Sequence, residues 1–223
     1  MRRLLFGLIA LVLVGVIAVP AGAAPGDAGG SQRWQVTVEN LTPAGSQPLS
    51  PPLVVVHSAR ADVWSVGAIA NHGVAAIAED ANNAPLEEAL PEVPGVADVF
   101  TVPGGPIPSG ASRSFEVDTG GSFQRLSLLT MLVNTNDAFT GLDSLRVHGL
   151  GTALETIAYD AGSERNNELA GFIPGPCCNN PFVRDPEGAL IGPHAGITGV
   201  GDLDPAVFGW PEPVARITIT RAP

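Results

Sequence analysis

The chain has 223 residues, a formal net charge of -11 and a mean hydropathy of +0.24. All 11 basic residues are arginine, and an acidic balance of this size disfavours nucleic acid and anionic membranes as partners. The length suits one domain with a core large enough to stand without disulfide staples.

Residues 1–23 read as a cleavable secretory signal peptide. Arg2 and Arg3 form a positive start, an apolar stretch runs from Leu4 to Val19, and Ala21-Gly22-Ala23 supplies a small-x-small cleavage site. The apolar stretch is shorter than the ~20 residues that span a bilayer, so it is read as a removable leader rather than an anchor. Cleavage after Ala23 leaves a mature chain of 200 residues and, with Arg2 and Arg3 gone, takes the charge to -13. No later segment is apolar enough for a second span. The protein is therefore expected outside the cytoplasm, secreted or in the cell envelope.

Residues 24–32 are small and polar and read as a linker. Residues 33–40 alternate, with Trp34, Val36 and Val38 against Arg33, Gln35, Thr37 and Glu39, which predicts a half-buried strand. Prolines make 41–52 a loop, and Leu53–His57 is a short apolar strand. Over 61–90 the apolar residues Val66, Ile69, Ala70, Gly73, Val74 and Ile77 recur at three- and four-residue spacing, predicting one amphipathic helix with a weaker turn at Leu86–Leu90. Proline and glycine then predict broken structure through Ser109. Further strands are expected at Ser114–Asp118, Gln124–Asn134, Asp143–His148, Glu155–Tyr159 and Val214–Thr220. The segment 160–213 reads as one long loop, of the kind that is functional or tied down. Short strands, long loops and a helical insertion, with neither a βαβ rhythm nor a glycine-rich phosphate loop, predict an antiparallel β-sandwich.

Two acidic segments each follow a predicted strand: Asn-Thr-Asn-Asp-Ala-Phe-Thr-Gly-Leu-Asp at 134–143 and Asp-Ala-Gly-Ser-Glu-Arg-Asn-Asn-Glu at 160–168. If the strands are neighbours, both loops leave one end of the sandwich and Asp137, Asp160 and Glu164 converge. Crowded carboxylates repel and raise one another's pKa, and an oxygen-seeking cation such as calcium resolves that conflict. The same residues also serve as ordinary turn-formers. Cys177 and Cys178 are adjacent, which leaves a bond between neighbours, buried thiols or a bridge between chains; an oxidising compartment favours a bond. His57, His72, His148 and His194 form no zinc-protease pair, and no nucleophile elbow is present. His194, with Asp202 and Asp204 in a glycine-rich loop, is the one arrangement open to a hydrolytic reading.

The segment 134–145 (Asn-Thr-Asn-Asp-Ala-Phe-Thr-Gly-Leu-Asp-Ser-Leu) resembles the spondin domain, the N-terminal module of F-spondin and mindin. Tyr159-Asp-Ala-Gly-Ser-Glu164 resembles that family's Tyr/Trp-Asp-Ala-Gly-Thr-Asp step. His57-Ser-Ala-Arg, Val63-Trp64, Gly67 and Ala78-Glu79-Asp80 resemble its helical insertion. The resemblance covers most of 33–220. It implies a C2-like antiparallel β-sandwich over 33–223 with a short helical insertion and a calcium ion at one end. Asp137, Asp160 and Glu164 would be the ligands, the last standing where the animal proteins usually carry Asp. Thrombospondin repeats and scattered cysteines are absent, while Pro176-Cys-Cys-Asn-Asn and the run His194–Asp204 resemble the bacterial stand-alone branch. The implied role is non-enzymatic: a binding or adhesion module for an extracellular carbohydrate or surface protein. The alternatives are a metal-free structural module of the envelope, whose acidic loops are only turns, and a secreted hydrolase using His194 with Asp202 or Asp204.

Overall fold

The structure, a computed structural model, describes residues 30–149 and 151–222. The predicted leader, 1–23, lies outside the described residues, as does most of the predicted linker. The chain first becomes regular at Gln32, where β1 (Gln32–Asn40) places Trp34, Val36 and Val38 inward as the alternation requires. β1 pairs antiparallel on one side with β4 (Ser112–Thr119) and on the other with β10 (Ala215–Arg221), which in turn pairs with β7 (Gly151–Thr156). These four form the first sheet, in the order β4-β1-β10-β7.

The second sheet has six strands. It is built on β2 (Leu53–His57), β3 (Val96–Thr101), β5 (Arg125–Met131) and β6 (Ala138–Arg146), with β8 (Tyr159–Asp160) and β9 (Gly192–Pro193) added at one edge, in the order β3-β2-β5-β6-β8-β9. β2 is apolar at consecutive positions because both of its faces are covered. Val54 and Val56 join Trp34, Leu126, Leu128, Ile217 and Ile219 between the sheets, whereas Leu53 and Val55 join Leu129 and Phe139 under the helices. The fold is thus the mainly antiparallel β-sandwich expected, with its helices on the outer face of the larger sheet.

The helical insertion is shorter and more broken than its periodicity predicts. Residues 61–71 are irregular, and helix begins only at α1 (His72–Asp80), followed by α2 (Ala84–Ala89). The Asn71 side chain accepts from the backbone N–H groups of Gly73 and Val74, and this cap fixes the start. Gly67 stands in the left-handed region at φ 85°, which no helix passes through. Val66 and Ile69 fit the helical spacing but are 54% and 62% exposed.

Other boundaries differ from expectation as well; the strand expected at Glu155–Tyr159 is divided, with β7 ending at Thr156 and β8 beginning at Tyr159. β3 lies inside the stretch expected to be broken by proline and glycine; it is an edge strand, paired only with β2, and only part of it is covered. The loop expected over 134–143 is a tight turn, because β6 already begins at Ala138 and carries Thr140, Gly141 and Asp143 within the strand. Gly141 belongs there for a steric reason: a Cβ on it would stand 1.8 Å from the Leu128 carbonyl oxygen. The long segment 160–213 is tied down by a small core of Ile173, Ile197 and Leu203, against which the disulfide-bonded Cys177 and Cys178 pack.

Candidate metal centre

The turn from β5 to β6 is held on several sides. Thr135 Oγ1 donates to the Leu132 carbonyl at 2.6 Å and accepts from the Ala138 N–H at 3.0 Å. Asn134 donates to the Ser46 carbonyl and accepts from the Cys177 N–H, so the loops before and after this turn are stitched to it. The next residue but two, Asp137, is fully buried. β8 pairs with β6 so that Asp160 stands opposite Ala138, and the chain then wraps over Asp137 through Ala161, Gly162, Ser163 and Glu164.

That wrap aims donors at one oxygen only. Asp137 Oδ2 accepts from the Ser163 N–H at 2.8 Å, the Ser163 hydroxyl at 3.1 Å and the Glu164 N–H at 2.9 Å. Asp137 Oδ1 is buried with no partner, and so are both carboxylate oxygens of Glu164. Burial and the nearby charge of Asp160 push the Asp137 carboxyl up to about 7, against the pull of its three hydrogen bonds. Burial, then the charges of Glu79 and Asp137, push Glu164 up to about 8. Native proteins rarely leave buried acceptors unpaired, and three such oxygens on two touching residues require an explanation.

Asp160 is placed differently. Its Oδ1 accepts from the Gly162 N–H and its Oδ2 from Asn166 Nδ2, both at 2.6 Å, so both oxygens are already engaged. It touches the site through its charge on Asp137 rather than through a free oxygen. Of the three residues singled out in the sequence, Asp137 and Glu164 are therefore clamped together, and Asp160 sits beside them.

The structure adds residues that spacing alone did not select. Arg184 lies between Glu79, Asp80 and Glu164, with its Nε 2.5 Å from Glu79 and 3.5 Å from Glu164 and its Nη2 on Asp80. Glu79 and Asp80 come from the end of α1, within the Ala-Glu-Asp run already noted for its family likeness; Arg184 carried no local signal. One guanidinium against Glu79, Asp80, Asp137 and Glu164 leaves three formal negative charges when all four acids are ionised. Among the described residues no three His, Cys, Asp or Glu side chains stand grouped as a ready-made metal shell. A cation would take the free oxygens of Asp137 and Glu164 and complete its shell with backbone, amide or water oxygens, which calcium accepts and zinc does not.

A second buried acid, Glu168, has the opposite character. Its Oε1 accepts from the Thr198 N–H and hydroxyl, and its Oε2 from the N–H groups of Gly199 and Val200, at 2.6 to 3.0 Å. Burial alone would raise its pKa, but these four donors outweigh that and hold it below the usual carboxylate range. Glu168 is a staple for the 195–204 loop. Side-chain spacing does not mark it, because its partners are mainly backbone groups about 30 residues away.

His194 belongs to the same end of the molecule, apart from Asp202 and Asp204. Its Nδ1 accepts from the Gly196 N–H at 2.9 Å, so the proton is on Nε2, which donates to Asn166 Oδ1 at 2.8 Å. Burial lowers its pKa and keeps the ring neutral. Asp202 accepts from the Ala170 N–H and Asp204 caps the short helix α3 (Pro205–Phe208). The geometry a hydrolase would need between His194 and these acids is not formed; His194 instead orients Asn166, which orients Asp160.

Fold and site together define a class: an antiparallel sandwich with a helical insertion and buried carboxylates where two strand-end segments meet. The Spondin_N family model matches residues 40–165, more than half of the chain and the span that includes Asp137, Asp160 and Glu164. The chain belongs to this family, whose domains are of the extracellular spondin type. Comparison with curated proteins returns no match.

Proposed function

We propose that this is a secreted, non-enzymatic binding or adhesion module. In this reading Asp137 and Glu164 bind calcium at one end of the sandwich, with Asp160 supporting them by its charge and position. The observation that carries the reading is the set of three buried carboxylate oxygens without a donor, on two residues held against each other by a backbone hydrogen bond. Calcium supplies the positive charge those oxygens lack and asks only for hard oxygen ligands in irregular geometry. Outside the cell, where free calcium is plentiful, a site with Kd of order 10⁻⁴–10⁻³ M is filled. The ion would fasten the 161–168 segment to the β5–β6 turn, so that the loops packed on it present a fixed surface to an extracellular carbohydrate or surface protein.

Thermal melting tests this. A ligand selective for the native state at ~100 Kd adds ~2.7 kcal/mol. For a domain of this size that is about 5–10 °C in melting temperature, lost in EDTA and restored by calcium. Asp160→Asn should blunt the response. Identical melting curves with chelator and with calcium would remove the metal from the account.

One observation favours the metal-free structural reading: Arg184 already contacts three of the acids. Its Nε is 3.5 Å from Glu164 and outside hydrogen-bonding geometry, and it makes no ion pair with Asp137. The guanidinium therefore neutralises the α1 side of the cluster and leaves the strand side uncompensated.

A further inference from the structure

We propose a second binding site at the opposite end of the larger sheet, formed by Arg60, Arg125 and Arg146, that takes the oxyanion groups of an acidic saccharide. Arg125 opens β5 and Arg146 closes β6, and the two stand directly opposite each other in the register. Like charges so placed destabilise a sheet. Among the described residues the chain does not relieve them. Arg33, Arg165, Arg184 and Arg216 all make ion pairs, whereas Arg60, Arg113, Arg125, Arg146 and Arg221 make none, and of these five Arg60, Arg125 and Arg146 line adjoining clefts. Asp143 feels the charge of Arg125 but forms no ion pair with it. Arg125 is held in place by Nη1 donating to the Ser144 carbonyl at 2.7 Å, and Arg146 by Nη2 donating to Gln124 Oε1 at 3.2 Å.

Two adjoining clefts of about 400 and 350 Å³ lie here and share Ala59 and Ser122; Arg125 and Arg146 line the first and Arg60 the second. Each is of a size that takes a small ligand. Guanidinium groups bind carboxylate and sulfate oxygens in paired hydrogen bonds, and the Ser122 hydroxyl adds a neutral donor of the kind sugars use. In a chain of net charge -11, three uncompensated arginines mark a local reversal of sign. The net charge of -11 over the whole chain disfavours duplex nucleic acid and anionic bilayers, so a small ligand that fits within the clefts is favoured over an extended polyanion surface.

The site shares no residue with the calcium site. It lies at the other end of β5 and β6, about 20 Å away along the strands. Binding can therefore be measured in EDTA, where the outcome is independent of the calcium reading. The probes are inorganic sulfate, a sulfated uronate disaccharide and its unsulfated counterpart, titrated calorimetrically into the mature chain at low ionic strength. The expected result is saccharide binding that weakens with added salt and falls at least tenfold in the double variant Arg60→Gln/Arg146→Gln. Both arginines are exposed, so the variant should fold, and its melting curve checks this. Binding of the sulfated probe alone identifies sulfate as the recognised group; binding of both identifies the carboxylate. Binding of neither disaccharide, or unchanged affinity in the folded double variant, overturns the proposal.

Discussion

Asp137→Asn separates a cation site from a turn that merely contains an acid. The asparagine carbonyl oxygen retains the place of Oδ2 and still accepts from Ser163 and Glu164. What disappears is the charge. Asp137 ionises in the folded protein only at about 7, against an ordinary value of 3.8. At about 1.36 kcal/mol per pKa unit, keeping it ionised above neutrality costs the fold up to about 4 kcal/mol. A neutral amide mimics the protonated acid and removes that cost. Taking half the figure as a conservative expectation, the variant in EDTA at pH 8 melts about 4–8 °C above the parent. The gain fades at pH 4, where the parent is protonated as well. In calcium the ranking reverses, because the variant has lost a charged ligand and no longer responds to the ion. The assay is differential scanning calorimetry of both proteins with chelator and with calcium. A variant that melts lower in EDTA and still gains from calcium would refute both the desolvation argument and the assignment of Asp137 as a ligand.

Other consequences follow from single residues. The chelated protein should lose stability as pH rises from about 5 to 9. Asp137 and Glu164 have folded values of about 7 and 8, above their ordinary ones, so the native state binds more protons over that range. Calcium should flatten this slope. Glu168 acts with the opposite sign: its folded value is depressed, so its contribution is present above its ordinary value of 4.5 and fades as pH falls below it. Glu168→Gln leaves two buried N–H donors facing an amide nitrogen, which should cost about 3 kcal/mol or more and expose the 195–204 loop to limited proteolysis. Gly141→Ala forces a Cβ against the Leu128 carbonyl and should prevent soluble expression or lower the melting temperature sharply. Gly192→Ala, whose Cβ meets nothing closer than 3.8 Å, should be neutral.

Strand positions were readable wherever burial differs between the two faces or covers both. β1 and β10 alternate because one face is wet, and β2 is apolar from Leu53 to Val56 because neither is. The periodicity over 61–90 misled for a definable reason. Val66 and Ile69 fall at helical spacing by position only; Ile69 bridges Leu190 in a strand-like contact, and the cap at Asn71 overrides the pattern. β3 was missed because an edge strand with Asp98 and half-buried neighbours carries little contrast.

The acidic pair Asp137 and Glu164 was legible because Asp137 lies in the short turn between β5 and β6 and Glu164 four residues past the end of β8, so that pairing of β6 with β8 brings their segments together. Arg184 and Glu168 were not legible. Their partners lie 20 or more residues away in sequence, or are backbone groups, and neither leaves a pattern in side-chain spacing.

The most direct measurement is a crystal structure of residues 24–223 grown in calcium. The expected result is an ion bound to Asp137 Oδ1 and the Glu164 carboxylate at about 2.3–2.6 Å, with Arg184 retained on Glu79 and Asp80. Arg184 or an ordinary water filling that position in saturating calcium would contradict it.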